Sequence, residues 1–202
     1  MNPAPPLNKL RIVSFRPSVN FVNTVDPREG EDPVDYTPTY SALALWAMRA
    51  RVVTRMEGER LIRTAHASKR QAQAAFGRAI TLREPLYRVF SALAAHRRPA
   101  DSELYIIQHA FHEAIEHAQL YQHGQQFHWQ VRHDLELISS RIALDVVDLL
   151  ESGLANRLKR CPGSGDCGWI FMDTSKNGTR RWCSMAGCGN RVKARRHSRK
   201  VR

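Results

Sequence analysis

The whole cysteine complement of this chain, Cys161, Cys167, Cys183 and Cys188, falls within 28 of its 202 residues. The spacing is C-x5-C, fifteen intervening residues, then C-x4-C. Two close pairs flanking a hairpin-sized insert bring four thiolates to one point. Four thiolates at about 2.3 Å fill the tetrahedral shell of a zinc ion and leave no position for water, so the ion they imply is structural. Pro162, Gly163, Gly165 and Gly168 give the first pair a chain that can wrap an ion. The insert WIFMDTSKNGTRRW reads as two strands about Asn177-Gly178, a type I′ turn dipeptide, and the residues after Cys188 suit a helix. A loop with two ligands, a hairpin and two ligands at a helix start make a treble-clef-like order. A redox-active disulfide pair and four inert buried thiols are the other readings of the same residues.

Charge singles out the same end. Residues 157–202 hold 13 Lys and Arg against 2 Asp and Glu, whereas residues 1–156 hold 18 against 17. A near-neutral body with a strongly basic end points to a nucleic acid or another acidic partner, a solvated tail being the plainer reading. About 45 residues this polar bury too little apolar surface to fold unaided, which is a further reason to expect a metal. The longest apolar run, 42–48, is too short to cross a bilayer. The N-terminus lacks a basic stretch followed by an apolar one, so a cytoplasmic address is expected, where thiols stay reduced.

The body, residues 1–155, reads as predominantly helical α+β with a few short strands, ahead of a cysteine module at 156–202. Leu10, Ile12 and Phe15 suggest a strand. Thr37-Pro38 opens a helix over about 38–51. Ser68 and Gln71 form a capping-box pattern before a long helix carrying Phe76, Ile80, Leu86, Phe90 and Leu93, which Pro85 should kink or split. Ile107, Phe111, Ala114 and Ala118 mark the next helix. Phe127, Trp129 and Val131 alternate after Gly124, as in a β-hairpin. Leu135, Ile138, Ile142, Val146 and Leu149 stripe a last helix that Gly153 interrupts or ends.

The segments CGW-F-DTS-N--RRWCSM--CGNR-KA resemble the CGNR zinc finger, named for the residues that stand here as Cys188, Gly189, Asn190 and Arg191. FVNTVD (21–26), PVDYT (33–37) with Trp46 after it, TLREPLYRVF (81–90) and LDVVDLLES (144–152) resemble the stress-induced transcription regulator (ABATE) domain of bacteria that precedes this finger. The resemblance implies a bacterial transcriptional regulator whose finger binds DNA. It supplies neither a ligand nor a target sequence.

Candidate nucleic-acid contacts are Arg180, Arg181, Asn190, Arg191, Lys193, Arg195, Arg196, Arg199 and Lys200, most of them on a helix over 189–200. Such a helix neutralises phosphates, and its arginines and Asn190 read bases only if it enters a major groove. RNA is a second partner, although no aromatic follows Trp182 for base stacking. Asn23, Thr24 and Asp26 form a polar knot that would line a small-molecule effector pocket or satisfy a turn. The body would serve as sensor or homodimerisation domain. HEAIEH (112–117) is not a metalloprotease motif, because its histidines stand five apart rather than four. With His109, Glu113 and Glu116 it reads as a solvated face. No nucleophile–base set or phosphate loop appears, so no enzymatic activity is expected.

Overall fold

The structure, a computed structural model, describes residues 6–116, 118–163 and 166–200, with the backbone alone for Arg196, Arg199 and Lys200. Gly165 and His117, both named above, lie outside the described residues. Helix Pro17–Val22 (α1) leads to the two-residue strands Val25–Asp26 (β1) and Val34–Asp35 (β2). Helices Tyr40–Arg49 (α2), Arg55–Ala67 (α3), Lys69–Ala94 (α4) and Asp101–Glu116 (α5) follow. The hairpin Gln119–His123 (β3) and Gln126–Gln130 (β4) precedes helix Leu137–Glu151 (α6). Strands Leu158–Arg160 (β5) and Ile170–Met172 (β6) and helix Asn190–Lys200 (α7) complete the chain. Each sheet has two antiparallel strands. Helices account for 56% of the chain, so the fold is helix-dominated α+β with a treble-clef-like finger.

Helix α4 is the axis of the molecule and touches α1, α2, α3, α5, α6 and both strands of the last sheet. Its buried face changes character along its length. Ala72, Ala75 and Ala79 let neighbours approach closely, and Leu82, Leu86, Val89 and Phe90 then fill the wider end. The helix runs through Pro85 without splitting. Packing on a buried proline outweighs the roughly 3 kcal/mol that its missing N–H and ring clash cost. A single apolar cluster joins Phe21, Trp46, Leu86, Phe90, Ile138 and Ile142 of the body to Trp169, Ile170 and Phe171 of the finger.

Several expected elements differ. The stretch 10–15 is not a strand: the Asn20 Oδ1 accepts the N–H groups of Val13 and Ser14, and its Nδ2 donates to the Ser14 carbonyl at 2.7 Å. One side chain thus satisfies backbone that a partner strand would otherwise pair. The first long helix is capped by Thr39, not Thr37, because the Thr37 hydroxyl is already engaged with Asp35 and Arg83. Ser68 makes no capping bond. The capping box lies instead at Thr54 and Glu57, opening α3, a helix the periodicity does not predict.

Glu57 also joins α3 to α6, accepting both Arg141 Nη1 and Nη2, at 2.8 and 2.7 Å. That guanidinium lowers the Glu57 carboxyl from 4.5 to about 2. A folded-state pKa below the unfolded value contributes stability that is complete above the unfolded pKa and is lost as pH falls through the folded one. The wild-type advantage over Glu57→Gln should therefore be full above pH 4.5 and shrink towards pH 2, as read from urea midpoints of both proteins across that range. A constant difference over the range would remove the assignment.

Candidate metal centre and basic helix

The first cysteine pair occupies the turn that joins β5 to β6. Cys161 N–H donates to the Trp169 carbonyl at 2.8 Å and Gly168 N–H to the Cys161 carbonyl at 3.1 Å. Gly163 and Gly168 have φ of 51° and 64°, a region open to glycine at little cost. Pairing β6 with β5 corrects the expected hairpin about Asn177-Gly178. The buried Asp173 prevents that hairpin by holding the chain after β6 in a turn: its Oδ1 accepts Ser175 N–H at 2.9 Å and its Oδ2 accepts Arg180 N–H at 3.0 Å and Lys159 Nζ at 2.6 Å. Of the second pair, Cys183 precedes and Cys188 lies within a π-helical turn, Met185–Gly189, capped by the Ser184 hydroxyl and continuous with α7.

The four sulfurs lie within 4.8 Å of one another, and all four cysteines are buried. Cys167–Cys183 and Cys183–Cys188 are separated by 3.8 and 3.6 Å. A disulfide needs about 2.05 Å, whereas a tetrahedron with bonds of about 2.3 Å has edges of roughly 3.8 Å. Without a metal the Cys161 sulfur pushes the Cys167 and Cys183 thiols up, whereas a bound cation would hold all four sulfurs as thiolates. Arg191 offsets the charge of the thiolates, donating from Nη2 to Cys188 Sγ at 3.2 Å, and that sulfur raises the pKa of the guanidinium. The donor set fits one structural zinc ion, with no position left for a reactant.

Asn23 and Thr24 do not face an open pocket, contrary to the effector-pocket expectation. The Asn23 amide pairs with Ile170 as a strand would, donating to its carbonyl at 2.7 Å and accepting its N–H at 2.9 Å. Thr24 Oγ1 accepts Arg83 Nη1 at 3.0 Å. Asp26 is half-buried; burial raises its carboxyl, against the fields of Arg11 and Arg191. The finger is fastened further by Arg28 N–H to the Cys167 carbonyl at 2.9 Å, Tyr87 Oη to the Gly168 carbonyl at 2.9 Å and Trp169 Nε1 to the Val25 carbonyl at 3.1 Å. Sequence reasoning missed Arg28 and Tyr87 because neither carries a spacing signal; both are fixed by tertiary contact.

Among the expected nucleic-acid residues, Arg180 turns inward. It donates to the carbonyls of Met172, Trp182 and Cys183 and stacks 4.8 Å from the Phe171 ring. Arg181 is exposed, 5.6 Å over Trp182. Asn190, Lys193 and Arg195 are exposed on α7. The side chains of Arg196, Arg199 and Lys200 lie outside the described residues. No described residue of α7 is buried. The helix is therefore held from its zinc-bound end rather than along its side. In the body, His109 and Glu113 form an exposed pair 3.6 Å apart. Among the described residues only the four cysteines form a cluster able to hold a metal. Among the described residues no helix is long and apolar enough to cross a membrane.

Compared with protein families, the chain matches the CGNR zinc finger over residues 157–200. It matches ABATE, described as "Putative stress-induced transcription regulator", over residues 16–153. No curated protein matches it. The chain belongs to the ABATE family and carries a CGNR zinc finger behind that domain.

Proposed function

We propose that the protein is a zinc-dependent DNA-binding transcription regulator of the bacterial cytoplasm, acting in a stress response. Its finger contacts DNA through α7, and its body acts as a sensor or dimerisation domain. On this reading it is a binding protein and not an enzyme. The observation that carries the proposal is α7 itself: eleven residues with six Lys and Arg, no acid, and no described residue buried. Like charges at this density repel along a helix, and a polyanion relieves the repulsion by giving up its condensed counterions. Zinc holds the first turn in place, so the helix meets a duplex without first paying to fold.

The test is binding of zinc-quantified protein to duplex DNA and to matched RNA across a salt series. Four to six phosphate contacts give a slope of log K against log salt of about −4 to −5. Replacing Lys193 and Arg195 by Gln should weaken binding and flatten the slope by about 2 while zinc content stays constant. A slope near zero would sink the DNA reading, and tighter binding to the RNA would redirect it. Enrichment of particular genomic fragments would identify the target.

A further inference from the structure

A cleft of about 530 Å³ opens where the N-terminal segment meets the finger, on the side from which the chain enters the π-helical turn. Among the described residues Arg11, Arg49 and Arg180 line it, with Ile12, Val13, Ser184 and the zinc ligand Cys183, and no carboxylate is part of that lining. Each guanidinium is held in place. Arg180 is pinned by the three carbonyls named above. Arg49 donates to the Leu7 carbonyl. Arg11 lies 5.4 Å over the Trp169 ring and against Gly187, where a Cβ would collide with the guanidinium. Arg11 Nε is buried without a hydrogen-bond partner. Asp26 lies within electrostatic reach of Arg11 but is not in the cleft wall.

Three cations facing one cleft without a carboxylate among them repel one another, and an oxyanion would offset that repulsion. Guanidinium forks match the tetrahedral oxygens of phosphate in pairs. The cleft also lies at the start of the helical run that begins after Ser184, the end whose dipole favours an anion. We propose that this cleft is a phosphate-binding site, distinct from the surface of α7. The phosphate comes from a nucleic-acid backbone or from a free phosphorylated small molecule. The proposal does not depend on DNA binding by α7.

The experiment is thermal unfolding of the zinc-loaded full chain in sodium phosphate against sodium chloride at equal ionic strength, with zinc content checked after each run. At ten times Kd, phosphate should raise the melting temperature by about 3–5 °C. Arg49→Met should lose most of that rise. Arg49 is exposed at the end of α2, so the variant keeps the fold, and it also corrects for the general stabilisation that phosphate gives any protein. Arg11→Met, which keeps the apolar stem, should behave alike. The Lys193→Gln, Arg195→Gln protein should keep the full rise, which separates this site from DNA contact by α7. An equal rise in wild type and Arg49→Met would overturn the proposal, as would its loss in the α7 variant. A short duplex that abolishes the phosphate effect assigns the site to a nucleic-acid backbone, and one that leaves it intact assigns the site to a free phosphorylated ligand.

Discussion

Chelation of the zinc is expected to unfold residues 157–200 and to lower the melting temperature of the body with them. Structural zinc contributes about 10–16 kcal/mol at neutral pH, as much as the whole stability of a typical domain. Within the finger itself little else holds it together, since β5 and β6 are three residues each and α7 buries no described residue. The body follows because the two share a core. Trp169, Ile170 and Phe171 are at most 1% exposed and pack in the same cluster as Phe21 and Phe90. Uncovering three such side chains costs roughly 5–9 kcal/mol, which for a chain of this size lowers the melting temperature by about 10 °C or more. Cys183→Ser should reproduce the loss. Calorimetry with parallel zinc quantification checks both. A body transition at the same temperature with and without metal would show that the finger is only tethered to it.

The second large effect is expected at Arg83. This residue of α4, its side chain 6% exposed, donates from Nη1 to the hydroxyls of Thr24 and Thr37 and binds Asp35 through both terminal nitrogens. Burial by itself would raise the Asp35 carboxyl, but the guanidinium, together with the N–H and hydroxyl of Thr37, more than offsets this and keeps it low. Arg83→Met would leave Asp35 and two buried hydroxyls without their donor, at about 3–5 kcal/mol. The melting temperature should fall by roughly 10 °C, with zinc content unchanged. Arg83→Lys should recover only part, because an ammonium cannot reproduce the planar fork. A loss below about 1 kcal/mol in chemical denaturation would mean that solvent replaces the guanidinium at little cost.

The candidate site was more legible in the sequence than the fold around it. Ligand spacing is a local property, so four cysteines in two close pairs already specify their convergence, and the structure brings the sulfurs together. The long helices were legible for a similar reason, since apolar periodicity repeats over many turns. What escaped were exchanges in which a side chain takes a backbone's place. Asn20 replaces a strand partner for 13–14, Asn23 replaces one for Ile170, and Asp173 folds the chain away from a second hairpin. Each depends on a single polar residue whose partner is chosen by tertiary packing, and no pattern of hydrophobicity marks it. The basic residues divide along the same line. Lys193 and Arg195 stand exposed as their charge suggests, whereas Arg180 is drawn inward by carbonyls that only the folded finger presents.

The amide of Asn23 also has a bearing on how the protein behaves at high concentration. A two-stranded sheet has two free margins, and a margin of unpaired N–H and C=O groups is a template for another chain. On the far side of β6 both main-chain groups of Ile170 are already taken by Asn23. The β6 margin of the zinc-bearing sheet is thus sealed against growth by the N-terminal segment, and that seal holds only while Asn23 stays docked. Loss of this one amide would turn a buried contact into an adhesive border, and self-association would then start at the metal-binding end of the molecule.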